Sequence, residues 1–557
     1  MKQLRGAARL GSGWVVGWVV GWVVGCGVAG CGEVGGASTS FGGSMPVELT
    51  ATEGSSSGGA GESSSSSSAS LGTSESGGPP TTSLASSSGG AECVVDSDCV
   101  GNPAGPLCDD GRCDVACLPG DTRACYSGPL DKVDVGACVR GSSTCAADGL
   151  SWGVCEGEVL PLASELCGNA IDDDCNGEVD EDVDADGDGW GVCSGDCCDV
   201  AGGDCFDPEK VNPGAFEYVG NDVDDDCDQT VDELVAACDG GLASDTKEPL
   251  DYARALDLCT FTEESPPDPK DRSWGVISAK LSLADGKGSP AAASRAIRPG
   301  FGGKIKPQKH SSLVVMASGH AADANDTKPG YAAFEKGQDM ATTSPPPADW
   351  LAANGGKIPN PPGCPAPQVP ASNDAVMLTL RMRVPTNASS FSARMYFMSA
   401  EYPEYVCSQY NDFFVALVDS QAVGNPKDKN VAVFDDGKTQ WPIGVNIVKV
   451  ADGLFSQCEG GPVGCAGVAG TYNGCTSTAE LVGTGFDAFD DFACNKVQKL
   501  AGGGSGWLTL RGNVAPGEVM EIRLAVWDTG GHLYDSLVLL DAWEWSLDPA
   551  APGVTPG

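Results

Sequence analysis

The chain has 557 residues, with 33 Lys and Arg against 77 Asp and Glu, and a formal net charge of -44. Such a charge repels phosphate backbones and anionic lipid headgroups, so it excludes nucleic acid as a partner and favours cations. The 26 Cys and only 3 His indicate disulfides formed in an oxidising compartment, which predicts export.

The N-terminus has the features of an export signal. Three basic side chains within the first nine residues precede an apolar stretch, Trp14–Gly25, that is too short and too rich in Gly for a membrane span. Residues 1–31 resemble a bacterial lipoprotein signal, with lipobox-like sequences ending at Cys26 (VVGC) and Cys31 (VAGC). The resemblance predicts lipidation of Cys31, with Cys26 as the alternative, and implies the outer membrane. An ordinary cleaved signal or a signal anchor is the competing interpretation.

A low-complexity segment follows at residues 32–92. It consists mainly of Ser, Gly, Thr and Ala, and it lacks the apolar periodicity needed to bury a core. We predict a disordered tether that holds the folded part away from the membrane and suits display on the cell surface.

Residues 93–160 are predicted to form a Cys-rich module held by disulfides. The segment has nine Cys and few large apolar residues, so it needs covalent links to hold a shape. The sequence CDDGRCDVAC (108–117) also has close thiol spacing of the kind found in zinc sites. An exported chain would oxidise these thiols and no His joins them, so disulfides are favoured over zinc.

The acidic stretch 161–237 contains an internal repeat. ELCGNAIDDDCNGEVDE (165–181) returns as EYVGNDVDDDCDQTVDE (217–233), with ten of seventeen positions identical. Residues 165–233 contain 24 acidic residues against one basic residue, a net charge of -23. A solvated acidic tail is the common alternative, but tails need neither turns nor paired Cys. A compact module with this charge needs cations.

Between the two copies lies DADGDG (184–189), a D-x-D-x-D-G pattern. Alternate carboxylates surround one point and Gly closes the turn, which is typical of a calcium loop. The twelfth position of an EF-hand would carry Glu, and here it is Gly195, so a standard EF-hand is excluded. We expect Asp196 or Asp199 to complete the shell. The predicted ligands are Asp184, Asp186, Asp188, Asp196, Asp199, Asp172, Asp173, Asp174, Asp224, Asp225 and Asp226.

The acidic stretch resembles the MopE-like metal-binding repeat. That repeat has a Cys-x7-Cys acidic loop, a DxDxDG loop and a second acidic loop after an NPGA-like segment, here VNPGAFE (211–217). The resemblance implies a loop between Cys167 and Cys175. The second copy has Val219 where the first has Cys167, so Cys227 is expected to bond another Cys, such as Cys205.

Members of this family are associated with copper as well as calcium, so the metal has to be argued from the donors. Copper favours His, Met or thiolate, and residues 165–233 contain no His, no Met and only Cys expected to be oxidised. Magnesium binds hard oxygen ligands too, but it demands a tighter octahedron. The sequence therefore predicts Ca²⁺.

Residues 238–548 are predicted to form an antiparallel β-sandwich-like domain, followed by a flexible tail at 549–557. Period-two alternation recurs in MLTLRMRV (377–384), FSARMYFM (391–398), DFFVALVD (412–419), EIRLAVWD (521–528) and SLVLLDAWEW (536–545). The last two segments are predicted to form a hairpin. Helix is expected to be sparse, and the best candidate is the short segment 251–259. This part resembles the choice-of-anchor L domain, including a leading pair, Cys238 and Cys259. The predicted class is mainly β, and the resemblance implies no active site.

Catalysis is a remote alternative. Asp528-Thr529-Gly530 imitates the aspartic-protease turn, but a second copy is missing, so a paired mechanism would need dimerisation. Asp528, Asp535 and Asp541 could hold a cation near the hairpin, although surface carboxylates are expected. Two functions remain open: a calcium-binding structural or adhesive display protein, and a surface protein that sequesters copper or another divalent metal. An unknown surface glycan or protein is a further possible partner.

Overall fold

The computed structural model describes residues 107–109, 112–114, 117–203, 205–267, 271–367, 371–490, 494 and 499–557. The predicted signal, both candidate lipidation residues and the predicted tether lie outside these residues. Among the described residues, no helix is long and apolar enough to span a membrane.

The N-terminal part of the described chain contains two small antiparallel hairpins. Strands β1 (Leu107–Asp109) and β2 (Arg112–Asp114) form the first, and β3 (Thr122–Cys125) and β4 (Gly141–Thr144) form the second. The disulfides Cys117–Cys145 and Cys125–Cys155 hold the second hairpin. The acidic stretch that follows is built of loops, with two 3-10 turns at Val192–Ser194 and Pro208–Lys210.

Two antiparallel sheets make up most of the remaining chain. The helices are α1 (Pro249–Arg254) and α2 (Ala348–Ala353), and further 3-10 turns lie at Ala292–Ser294, Phe334–Lys336, Val445–Lys449 and Ala479–Leu481. The strands are β5 (Gly275–Ser282), β6 (Arg295–Arg298), β7 (Leu313–Ala317), β8 (Thr343–Ser344), β9 (Ser372–Arg383), β10 (Ser390–Ser399), β11 (Phe413–Asp419), β12 (Val433–Asp435), β13 (Gln440–Gly444), β14 (Gly461–Val463), β15 (Gly470–Tyr472), β16 (Phe489–Asp490), β17 (Lys499–Leu500), β18 (Gly503–Gly504), β19 (Leu508–Asn513), β20 (Val519–Asp528), β21 (Ser536–Ser546) and β22 (Gly553–Pro556).

The first large sheet, sheet I, has the strand order β22-β19-β10-β21-β7-β6, with β18 paired to β10. The second, sheet II, has the order β12-β13-β11-β20-β9-β5, with β8 paired to β9. Short two-stranded ribbons, β14 with β15 and β16 with β17, lie in the connections. The predicted mainly β class with antiparallel sheets is confirmed.

The sandwich core lies between the two sheets. Met395 and Phe397 of sheet I belong to the same buried cluster as Leu380 and Leu524 of sheet II. Alternate residues of the same strands point outwards, where loops and α2 cover them; Trp350 of α2, for example, packs with the outer-face residues of sheet II. Several strands are therefore buried on both faces, which explains why their sequences include long apolar runs.

The predicted hairpin at the end of the chain is wrong. Strand β20 pairs with β9 and β11 in sheet II, whereas β21 pairs with β10 and β7 in sheet I. Residues 529–535 therefore cross from one sheet to the other. Alternation identifies each strand but carries no information about its partner, and a connection of this length is compatible with both arrangements.

The acidic stretch docks on the sandwich through its NPGA segment. The turn between β9 and β10 provides Thr386, whose N–H donates to the Gly214 carbonyl at 2.9 Å, and Asn387, which exchanges two hydrogen bonds with the Phe216 backbone at 2.9 and 3.0 Å. A Cβ at Gly214 would lie 2.9 Å from the Thr386 methyl and 3.0 Å from Trp190 Nε1. The close approach requires Gly, and it fixes the second acidic loop beside the sandwich.

Candidate metal centre

The first acidic loop is closed by one glutamate. Glu165 is buried; its Oε1 accepts the N–H groups of Asp173 at 2.9 Å and Asp174 at 3.0 Å, and its Oε2 accepts that of Asp180 at 3.2 Å. Backbone N–H groups are strong donors to a carboxylate, so this residue organises the loop around itself.

The second acidic loop repeats this arrangement fifty-two residues later. Glu217 accepts the N–H groups of Asp225 at 2.6 Å and Asp226 at 3.1 Å through Oε1, and that of Asp232 at 2.9 Å through Oε2. The sequence repeat is therefore also a structural repeat.

Each loop brings a group of carboxylates together. Oxygens of Glu165, Asp174 and Glu181 lie within 4.8 Å of one another in the first loop. Asp174 Oδ1 and Glu181 Oε2 are buried and have no hydrogen-bond partner in the described part of the chain. Burying such an oxygen without a partner is costly, so a cation at this point would compensate it.

The second loop has a similar group, in which oxygens of Glu217, Asp224 and Asp226 lie within 4.8 Å of one another. Among the described residues, Glu233 Oε2 of the same loop is buried without a hydrogen-bond partner. Burial, followed by the neighbouring carboxylate of Glu233, raises the pKa of Glu217 to about 7. Burial also raises the pKa of Asp226 to about 6.

The DxDxDG segment forms a compact loop between these two groups. Asp184 accepts the N–H of Gly187 at 2.6 Å and that of Gly189 at 3.0 Å, and these two Gly have φ angles of 88° and 96°. Asp186 Oδ1 accepts the Asp188 N–H at 3.0 Å. Only Gly adopts such angles at both turns without strain, so the pattern of alternating Asp and Gly determines the shape of the loop.

Asp196 and Asp199 approach this loop from the following turn. Two groups of carboxylates converge here, and the oxygens of each group lie within 4.8 Å of one another. One group is Asp184, Asp186 and Asp199, and the other is Asp186, Asp188 and Asp196. The second oxygens of Asp186, Asp188 and Asp196 are buried and find no hydrogen-bond partner among the described residues. The structure therefore brings both Asp196 and Asp199, the two side chains considered for closing the shell, next to the DxDxDG loop. Asp186 belongs to both groups.

In the DxDxDG loop, which we call the central loop, burial and mutual repulsion disfavour ionised carboxylates unless a cation is bound. Burial raises the pKa of Asp196 to about 7 and that of Asp188 to about 6, and neighbouring carboxylates raise them further. The pKa of Asp186 is raised for the same reasons. A bound cation would reverse this repulsion.

The other predicted ligands accept hydrogen bonds from within the two acidic loops and so stabilise the shape of the loops. Asp172 accepts the N–H groups of Asn176 and Gly177, each at 3.0 Å, and Asp224 accepts those of Asp228 and Gln229 at 3.1 and 2.9 Å. Asp173 accepts a bond from the Asn169 amide, and Asp225 accepts bonds from the Tyr218 N–H and the Asn221 amide. Of these four residues, Asp224 also belongs to a converging group.

Four glutamates that belong to these groups or lie beside them were missing from the ligands predicted from the sequence. Glu165, Glu181, Glu217 and Glu233 occupy the first and last positions of the two repeat copies, and both positions are identical between the copies. The signal was therefore present in the repeat, although the runs of three Asp are more conspicuous.

The disulfides of the acidic stretch differ from the predicted ones. Cys175 bonds Cys138 and Cys167 bonds Cys193, so the implied Cys167–Cys175 loop is absent. The prediction of Cys205 as the partner of Cys227 is also wrong.

Cys227 bonds Cys197, and Cys205 bonds Cys198. The physical reason is that Glu165 and Glu217 close the two loops, which leaves Cys175 and Cys227 free to link each loop to the preceding segment. Cys167 links the first loop to the following segment, and Val219 leaves the second loop without the equivalent of that bond. Further along, Cys238 bonds Cys259, the pair named from the sequence.

Peptide mapping tests these pairings. After non-reducing digestion, mass spectrometry should find the peptide of Cys138 linked to that of Cys175, and the peptide of Cys167 linked to that of Cys193. A Cys167–Cys175 link in the native protein would contradict the arrangement, and a reduced digest serves as the control.

The donor set of the acidic stretch consists of oxygen. Residues 165–233 contain no His or Met, and their seven Cys are all in disulfides. Carboxylate oxygens suit hard cations such as calcium and magnesium, and the buried unpartnered oxygens fit such an ion.

Comparison with known proteins agrees with the geometry. Residues 157–181 and 204–233 match the Cu-binding MopE family model, described as Putative metal-binding motif. The chain carries a MopE-like metal-binding motif. The two matched segments contain the two glutamate-centred loops, and the DxDxDG loop lies between them.

A second family model, Choice-of-anchor L domain, matches residues 365–546, within the two large sheets. No curated protein and no solved structure matches the chain. The predicted resemblance to both families is confirmed. Neither family is enzymatic; together they indicate a metal-binding or structural role, and extensive disulfides are typical of exported surface proteins.

Proposed function

We propose that this protein is a lipid-anchored display protein of the cell surface, whose MopE-like motif folds around calcium. One observation carries the proposal. Among the described residues, carboxylate oxygens without hydrogen-bond partners are buried in both acidic loops and at the DxDxDG loop, namely on Asp174, Glu181, Glu233, Asp186, Asp188 and Asp196.

Apolar burial gives this module little stability. Between residues 165 and 233 the buried hydrophobic residues are Cys175, Trp190, Cys198, Val211 and Ala215, whereas ten large hydrophobic side chains are exposed. With a net charge of -23 over the same residues, compaction requires cations in addition to disulfides. Calcium is abundant outside cells and prefers these ligands.

The display role rests on the rest of the chain. A lipidated Cys31 followed by the Ser/Gly-rich segment 32–92 would hold the disulfide-rich modules and the sandwich at a distance from the membrane. The calcium-rigidified module then joins this tether to the choice-of-anchor L domain, whose surface we propose as the part displayed for adhesion.

The metal is tested by titrating the mature chain with calcium, copper and zinc in a calorimeter. We expect calcium to bind and to raise the unfolding temperature of the module, because the donors are oxygen. Asp222→Asn serves as a control: Asp222 is exposed, so this substitution should leave calcium binding unchanged. Tight copper binding with no response to calcium would instead support the sequestering function, which the Cu-binding name of the matched family favours.

Anchoring is tested separately. Cells grown with a fatty-acid analogue should label the protein, and Cys31→Ala, or Cys31→Ala with Cys26→Ala, should abolish the label. Absence of label on the unsubstituted protein would refute the lipid anchor without affecting the metal proposal.

A further inference from the structure

A second group of buried carboxylates lies in the sandwich, far along the chain from the acidic module. Asp412 precedes β11, Asp528 ends β20, Asp535 precedes β21, and Glu401 follows β10. All four side chains are at most 2% exposed. Asp528, Asp535 and Asp541 were expected to be surface carboxylates, and this expectation is wrong because all three are buried.

Asp412 supplies the second carboxylate that Asp528 lacks in the local sequence. The Asp412 side chain accepts the Thr529 N–H at 3.0 Å and the Ser536 hydroxyl at 2.6 Å, and it lies beside Asp528. Glu401 accepts the Asp412 N–H at 3.3 Å. The pairing forms within one chain, so the expectation that dimerisation is required is also wrong.

The Asp528 side chain itself is not satisfied by the protein. It lies against Asp412 and Ser318, but neither of its oxygens has a partner with hydrogen-bond geometry among the residues that the structure describes. The neighbouring Thr529 hydroxyl, also 1% exposed, lacks a partner among the same residues. Both residues line a cavity of about 280 Å³ with Glu401 and Asp412.

Nothing cationic among the lining residues balances these charges. The cavity wall contains no Lys or Arg, and its His532 is engaged with Asp374, to which Nδ1 lies at 2.7 Å. The remaining wall is formed largely by Tyr405, Tyr410 and Tyr534 and by the turn at Gly530.

The geometry points to a calcium ion bound in this cavity by Asp412 and Asp528, with Glu401 and the Thr529 hydroxyl as further oxygen donors. Calcium accepts six to eight oxygen ligands in irregular arrangements, and the cavity has room for the waters that complete its shell. A proton shared by Asp412 and Asp528 is the alternative occupant, and the experiment distinguishes the two.

The position of the ion gives it a structural role. Asp412 and Asp528 belong to the ends of strands in sheet II, whereas Glu401 follows a strand of sheet I, so the ion joins the sheets at one end of the sandwich. It also fixes the beginning of the crossing segment 529–535. Gly319 makes room for the end of this segment, because a Cβ there would lie 1.9 Å from Asp535 Oδ2.

Crystals of the unsubstituted full chain provide the first test. After a soak in terbium chloride, an anomalous difference map should contain a peak between Asp412 and Asp528, because terbium replaces calcium at oxygen sites. A map without a peak at this position would overturn the proposal, and this arm does not depend on the folding of any variant.

Metal content provides the second test. After equilibration with calcium and removal of the free ion, Asp528→Asn should retain one calcium fewer per chain than the unsubstituted protein. Asp541→Asn is the matched control, because Asp541 is equally buried on β21 but does not line the cavity. Equal calcium content in the unsubstituted chain and Asp528→Asn would mean that the pair holds only protons. Because the acidic module remains intact in both variants, failure here leaves the proposed function unaffected.

Discussion

Removal of calcium should make residues 165–233 accessible to protease while large fragments of the sandwich persist. The two parts are held by different forces: carboxylate groups and disulfides in the module, and an apolar core between two sheets in the sandwich. Disulfides should keep the chelated module from expanding fully, so protection falls without vanishing. Timed proteolysis followed by mass spectrometry, with and without a chelator, measures the effect.

The variant Asp186→Asn with Asp188→Asn should reproduce part of this loss in the presence of calcium, because it removes two charges from the central loop. Asp222→Asn with Glu178→Gln is the control; it removes the same charge from exposed positions of the module and should leave protection unchanged. If chelator, added calcium and the loop variant all leave proteolysis and heat stability unchanged, the acidic stretch is a charged spacer.

Acid should affect the calcium-free and calcium-loaded modules in opposite directions. Burial raises the pKa of Asp188 and Asp226 to about 6 and those of Asp196 and Glu217 to about 7, against about 4 in an unfolded chain. The calcium-free folded module thus binds protons that the unfolded chain has released. Its stability from these groups is fully present below about pH 4 and is lost as the pH rises through 6 to 7.

Calcium requires the deprotonated carboxylates, so its affinity should rise over the same interval and its binding should release protons. For each carboxylate that must release a proton, we expect the affinity to fall from pH 7 to pH 6 by about twofold where the pKa is about 6 and by about fivefold where it is about 7. Calorimetry in two buffers of different ionisation enthalpy counts the protons. Calcium binding that is independent of pH and releases no protons would contradict these pKa shifts or the assignment of the ligands.

The sequence predicts the strands well because alternation is a local property. Each of the five segments named from alternation overlaps a long strand, from β9 to β21. The helix expected at 251–259 is found as α1 in the first part of that range. The partner of a strand is not local, and for this reason the crossing between β20 and β21 was mistaken for a hairpin.

For the candidate metal site too, local features were predictable from the sequence, whereas contacts between distant segments were not. Spacing alone identifies the loop of Asp184, Asp186 and Asp188, because its Asp and Gly positions determine its shape. The pairing of Cys175 with Cys138 joins segments that are distant in sequence, and no spacing encodes it. The inward direction of Asp412 and Asp528 was missed because a carboxylate at a strand end is usually solvated.

The order of the disulfides determines how the chain would bear a pulling force. Between Cys117 and Cys259, tension can pass from bond to bond, through Cys117–Cys145, Cys138–Cys175, Cys167–Cys193, Cys197–Cys227 and Cys238–Cys259, with short lengths of backbone between them. The loop of Asp184 to Gly189 and the segment 198–226 lie outside this covalent load path. A cell surface sheared by flow could therefore pull on the sandwich without stretching these acidic loops, and reduction of the bonds would transfer the load directly to them.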